Sequence, residues 1–219
     1  VDARHVTWAV LEALARPDFQ PGIPLGSKGR LGDADWTVIG AMERSVTVEG
    51  VRYPWREYLL YVPGREFRWL VEAKGHWSFV EPIRKCTSTA SGSVGERWGE
   101  PEHDGQKFSH FQSGTAVVDH VLGEFYWAVA RGDETTTDDY VAPPRMLSKE
   151  EAESEINWSL GHYTEPDVVW KAFGLEGSPP EREGVGAHQP WLGLHPRQAF
   201  KRGLLAAAAL TVMYAGFSL

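Results

Sequence analysis

The chain has 219 residues, 42% of them hydrophobic and 24% charged, an ordinary globular composition that excludes wholesale disorder, a collagen-like rod and a heptad rod. Its single cysteine, Cys86, excludes an internal disulfide, and 22 Lys and Arg against 30 Asp and Glu give a net charge of −8 that disfavours nucleic acid as a partner. The length suits one domain with appendages, large enough to bury a core without covalent staples.

Residues 4–16 (RHVTWAVLEALAR) set Val6, Val10, Leu11 and Leu14 at helical spacing before Pro17, so residues 1–21 read as an N-terminal helix or linker. From Ile23 the texture changes to short alternating runs broken by glycine, which is the pattern of an antiparallel β domain. Gly26 to Leu31 is a first strand. Ala34 to Glu49 is a long one that bends near Gly40, and Glu49-Gly50 is a turn. Trp55 to Val62 and Phe67 to Glu72 flank a four-residue hairpin connection, and a tight turn at Lys74-Gly75 leads to His76 to Val80, completing a three-stranded meander. Within it Tyr58, Leu60 and Val62 share a face, as do Phe67, Trp69 and Val71, and Trp77 with Phe79; these faces are expected to stack as one aromatic surface.

Lys85 to Asp104, rich in Ser, Thr and Gly, reads as a loop. Lys107 to Gln112 and Thr115 to Leu122 read as a strand pair, Gly123 as a bulge, and Phe125 to Ala130 as a further strand. Past Pro143 and Pro144, Ser148 with Glu151 is a capping-box signature for a helix running to about Leu160 and ended by Gly161. A second helix spans Pro166 to Phe173, with Thr164 as its N-cap. Residues 176–199 read as a linker. The final run, Gly203 to Leu219, has seventeen residues without a charge and follows Arg197, Lys201 and Arg202. It reads as the start of a transmembrane helix within 200–219, with the preceding domain on the cytoplasmic side of the inner membrane.

The blocks IPLGSKGRLGDADWTVIG (Ile23 to Gly40), WREYLLYVP (Trp55 to Pro63), FRWLVEAKGHWSFV (Phe67 to Val80), VLGEFYWAV (Val121 to Val129), DYVAPPRMLSKE (Asp139 to Glu150) and EINWSLGHY (Glu155 to Tyr163) resemble a bacterial family known as domain of unknown function 4178. The resemblance spans Gly22 to Leu175. It implies a mostly β domain, sometimes attached to hydrophobic segments, and brings no catalytic or binding residues with it. The expected fold is therefore mainly β with C-terminal helices, an α+β arrangement of an antiparallel curved sheet or partly closed barrel or sandwich over residues 22–175.

Ten tryptophans are the most unusual feature. Trp69 and Trp77 read as core, Trp55 and Trp127 as surface residues able to stack on a ligand. Among acids within β runs, Glu57, Glu72, Asp119 and Glu124 stand out; cross-strand pairing with Arg56, Arg68 or Lys74 is their ordinary reading. A hydrolase would need two of them about 5 to 9 Å apart. Glu124, redirected by the bulge, with Glu57 or Asp119 is the candidate set. His76, His110 and His120 have no metal-ligand spacing, Cys86 lacks an activating motif, and no cofactor is implied. The reading is a non-enzymatic, membrane-tethered binding module for a protein or small ligand, with Trp55, Glu57, Glu124 and Trp127 as candidate contacts; the alternative is a carboxylate hydrolase through Glu124.

Overall fold

The computed structural model describes residues 19–65, 67–84, 87–89, 99–152 and 155–190. The helix expected over residues 4–16, Cys86 and the apolar run 203–219 lie outside the described residues. No helix among the described residues is long and apolar enough to cross a membrane.

The domain is built from two antiparallel meanders. The first contains β2 (Ala34–Val48), β3 (Val51–Tyr61), β4 (Arg68–Ala73) and β5 (His76–Ile83), preceded by the short β1 (Lys28–Leu31). The second contains β9 (Ser109–Gly123), β10 (Glu134–Ala142), β11 (Arg145–Ala152) and β12 (Glu155–Thr164). Between them β6 (Thr87–Thr89), β7 (Glu100–His103) and β8 (Gln106–Lys107) form a separate three-stranded sheet, and α1 (Pro166–Phe173) follows β12. β5 pairs with β12, and β2 pairs with β9 from Gly40 opposite Gly123 to Ser45 opposite Val117. These two seams close eight strands into a barrel in the order β2-β3-β4-β5-β12-β11-β10-β9. Closure leaves none of the eight as a free edge, and an eight-stranded barrel is narrow enough for side chains to fill its interior.

Local chemistry explains the tight connections. Glu49 and Gly50 have φ of 51° and 80°, and Lys74 and Gly75 have 52° and 78°, the left-handed pair that two-residue hairpins require. Both turns fall at one end of the barrel, with the β10–β11 turn at Pro143-Pro144. The other end is reached by the β3–β4 connection and by the stretch after β9. There Gly123 (φ 91°) turns the chain off the sheet, and the Glu124 amide donates to the Ile39 carbonyl at 2.9 Å.

The interior core holds Met42, Leu59, Trp69, Val71, Val80 and Met146. Outside the first meander, Tyr58, Leu60, Leu70 and Trp77 form a second cluster covered by Val169 and Phe173 of α1. Outside the second, Phe108 packs on Tyr140, Leu147 and Leu160, so the segment joining the meanders covers that face.

Several sequence expectations change here. The faces of the first meander do not merge: Leu59 pairs with Trp69 and Val80 facing the interior, whereas Tyr58 pairs with Leu70 and Phe79 facing outward. In place of the strand pair expected at 107–112 and 115–122, β9 runs unbroken from Ser109 to Gly123 and Lys107 belongs to β8; within β9 an added Cβ at Gly114 would sit 2.8 Å from Val46 Cγ2. Phe125 to Ala130 is not a strand; it folds across the barrel end. The helix expected at 148–160 is the β11–β12 hairpin instead. Met146, Ser148 and Glu150 are buried on its inner face while Leu147 packs outward, and a strand buried on both faces loses the alternation that identifies it. One C-terminal helix therefore remains. Glu165, with no side-chain cap, holds the N-cap position expected for Thr164. The fold is mainly β, a closed antiparallel barrel with one helix, in place of a partly open sheet with two.

Candidate functional site

Three places in the barrel bring chemically capable side chains together. The first is inside. Arg44 on β2, Trp55 and Glu57 on β3, and Glu150 on β11 point to the interior, and Arg44, Glu57 and Glu150 are only 2%, 0% and 2% exposed. Arg44 Nη1 lies 3.1 Å from Glu150 Oε1 and 3.6 Å from Glu57 Oε1, and its guanidinium sits 5.8 Å from the Trp55 ring centroid. Trp55 Nε1 donates to Glu57 Oε1 at 2.6 Å.

One guanidinium between two buried carboxyls neutralises only one of them. Burial pushes Glu57 up to about 8, against the opposing pull of Arg44 and the Trp55 hydrogen bond, with Glu150 adding to the rise. Glu150 is also raised by burial, against Arg44. Burial thus favours protonation of the pair over two charged carboxylates. Arg44 Nε and the second oxygens of both acids have no hydrogen-bond partner among the described residues. Nearby on the same inner face, Asp139 accepts from Ser148 Oγ at 2.6 Å and Gln112 Nε2 at 2.9 Å. Arg44 and its two acids fasten β2, β3 and β11 together, and the Asp139 contacts add β9 and β10; acid-base work on a substrate would additionally need access that these exposures deny.

The second place is the barrel end beyond β9. Tyr61, Phe67, Tyr126 and Trp127 contact one another in succession: Tyr61 is tilted on Phe67 at 5.5 Å, Phe67 stacks on Tyr126 at 4.5 Å, and Tyr126 meets Trp127 edge-on at 4.6 Å between ring centroids. Trp127 continues inward to Phe125 at 5.0 Å and Trp69 at 5.4 Å. Tyr61 is 37% exposed, while Phe67, Tyr126 and Trp127 are half-buried. The rim thus presents aromatic edges while its roots are anchored in the core.

The third is the opposite mouth, near the β4–β5 turn. Residues 177–189, read from the sequence as linker, fold back as a strap. The Glu183 amide donates to the Lys74 carbonyl at 3.0 Å, Ala187 packs against the interior cluster, and His188, 4% exposed, is hydrogen-bonded through Nε2 to Ser78 Oγ. A cavity of about 10 Å³, water-sized, remains between the strap and Val71, Ala73, His76, Ser78 and Tyr163. Burial lowers His188 to about 3, with His162 and His76 adding to the fall.

The sequence candidates are dispersed by this geometry. Trp55 is a core residue at 2% exposure, contrary to its reading as surface, because it faces the barrel interior and packs on Arg44. Trp127 is half-buried in the rim, packed against the interior cluster with its Nε1 buried. Glu57 is interior, whereas Glu124 is exposed beyond Gly123 and Asp119 is ion-paired with Arg52 at 2.8 Å. Glu57 instead meets Glu150 across Arg44. Of these acids Glu72 has the expected cross-strand pairing, at 3.9 Å from Arg56, while Arg68 is taken by Glu81, an acid outside that set, at 3.3 Å. His76, His110 and His120 do not converge: His76 meets Tyr163 at 3.0 Å, His110 meets Ser113 at 2.8 Å and His120 stacks on Phe19. No group of three His, Cys, Asp or Glu able to hold a metal occurs among the described residues.

Fold and interior together define a closed antiparallel barrel with a filled, charged centre and a capped mouth. The chain belongs to the family described as domain of unknown function (DUF4178), whose model matches residues 24–166. That span covers the barrel and ends at the first residue of α1. No curated protein matches the chain, and no solved structure matches it.

Proposed function

We propose that this chain is a non-enzymatic binding module that engages a protein partner through the aromatic rim and is held at the cytoplasmic face of a membrane by its C-terminal apolar run. The carrying observation is the contiguous aromatic series Tyr61-Phe67-Tyr126-Trp127, exposed at Tyr61 and rooted on Trp69. Small-molecule sites are concave and hold hundreds of cubic ångströms, whereas the mouth cavity is water-sized; a run of aromatic edges suits a protein surface, where Tyr and Trp supply large contact area at low entropic cost. The membrane part of the proposal rests on the seventeen uncharged residues of Gly203 to Leu219 and the cations before them. The hydrolase alternative gains no support, since Glu124 is exposed at the rim while Glu57 is sealed within the barrel.

A photo-crosslinking residue placed in the full chain in cells tests this proposal. At Tyr61 or Tyr126 it should give a discrete protein adduct that is absent when the probe is at exposed Val168 on α1. Adducts of equal yield at all three positions, or at Val168 alone, would reject the rim as the binding surface.

A further inference from the structure

The geometry points to residues 177–189 acting as an acid-released latch: protonation of His188 frees the strap from the barrel mouth while the barrel itself stays folded. The strap is a separable unit. The barrel closes through β2 and β9 and through β5 and β12 without it, and the family match ends at residue 166. Its docking rests on few attachments: the Glu183 amide on Lys74, the Arg182 guanidinium on Glu165 at 3.0 Å and on the Tyr163 hydroxyl at 3.3 Å, Ala187 in the core, and His188 on Ser78. Segments held this way open locally at lower free energy than the sheet they cover.

His188 is the attachment sensitive to protons. Its imidazole is buried with one nitrogen on a hydroxyl and Nδ1 without a partner among the described residues, so a charged imidazolium there would be buried without a counter-charge. The groups around it do not supply one. β5 brings His76, whose Nε2 is likewise buried without a partner, and β12 brings His162 and Tyr163. His162 lies 3.7 Å from Glu81, and Glu165 is taken by Arg182. On β4, Glu72 accepts from the Gly75 amide at 2.8 Å, and Lys74 adds a cation. The interior carboxyl in the same cross-strand row, Glu57 through Val71 to Ser78, is held by Trp55 and Arg44. The strap's own Glu181 and Glu183 are exposed.

Burial lowers His188 and His76 from their ordinary 6.5. Undocking restores the ordinary affinity of His188, so the docked strap binds fewer protons, and acid favours release from about pH 6.5 downward. Release also lengthens the chain leading to residues 191–219 by up to roughly 40 Å, at about 3.3 Å per extended residue.

Hydrogen exchange on the full chain from about pH 7 to pH 4.5, normalised to intrinsic rates, tests the latch. Protection of the Glu183 amide should fall by about tenfold or more per pH unit below pH 6, while the β3 amide of Leu59 stays protected. His188→Gln should reduce that slope by about one proton, and Ser78→Ala should weaken protection at every pH while leaving the slope. Strap protection that does not vary with pH, that collapses together with Leu59, or that keeps its full slope in His188→Gln, would overturn the proposal. If His188→Gln does not fold, the Ser78→Ala and wild-type profiles decide: a flat profile in both overturns it.

Discussion

Arg44 is the residue on which the barrel interior depends most. It bridges Glu57 on the adjacent β3 and Glu150 on β11, and deleting it leaves both buried without their cation. Arg44→Met is predicted to destabilise the fold by about 3 to 5 kcal/mol, measured by denaturant unfolding at neutral pH. Glu57→Gln makes the opposite case. A carboxyl protonated in the folded state closely resembles a glutamine, so this variant should match wild type within about 1 kcal/mol near pH 5 and gain relative to it as pH rises. Trp69 stands at the root of the rim and is fully buried, so Trp69→Ala should cost about 3 to 5 kcal/mol. Neither Arg44 nor Glu150 was legible as a partner of Glu57 from the sequence. Arg44 and Glu150 are 106 positions apart, and only barrel closure brings them together.

At the scale of elements, α1 and β1 illustrate a contact that admits no extra atom. A Cβ at Gly29 would lie 2.6 Å from the Phe173 ring, so Gly29→Ala must displace α1 from the sheet. Thermal unfolding should report a loss of about 1 to 3 kcal/mol, with a smaller loss when Phe173→Leu is combined with it. The strands and turns of the first meander were legible, although β3 begins at Val51 and β5 runs on to Ile83. Lys74-Gly75 and Glu49-Gly50 are turn sequences whose backbone preference needs no tertiary help, and β2 through β5 fall where alternation placed them. The second meander was not. In β11 the local string LSKEEA has the charge and capping pattern of an exposed helix, yet Ser148 donates to Asp139 and Glu150 pairs with Arg44 inside the barrel. The strap was missed for a related reason. Gly186 fits only because no Cβ meets the His76 ring, which would be 2.9 Å away, and glycine reads locally as looseness.

For the whole molecule, the buried groups set opposing pH limits. Glu57, raised to about 8 from its ordinary 4.5, contributes stability that is fully present below about pH 4.5 and is lost as pH rises through 8; Glu150 and Glu72 act in the same direction. His188, depressed to about 3, contributes stability present above pH 6.5 and lost as pH falls toward 3, and His76 acts likewise. These opposing slopes overlap between about pH 4.5 and 6.5. The melting temperature should therefore be lower at pH 8 than at pH 6, and Glu57→Gln should shrink that difference. The aromatic rim and the sealed interior follow from the same closure: the inner faces are consumed by packing, and the exposed aromatic edge lies at one end. Tryptophan content announced this aromatic weight in the sequence, but only the barrel decides that Trp55 belongs to the interior and Trp127 to the rim.

Native mass spectrometry with metal analysis, on the full chain purified without added ligand, tests the central claim that the interior is filled by its own side chains. The account predicts the mass of the polypeptide alone, with no stoichiometric metal or small molecule. A bound molecule at one equivalent that is lost in Glu57→Gln or Arg44→Met would contradict it, because the charged centre would then be a ligand site instead of a fastening.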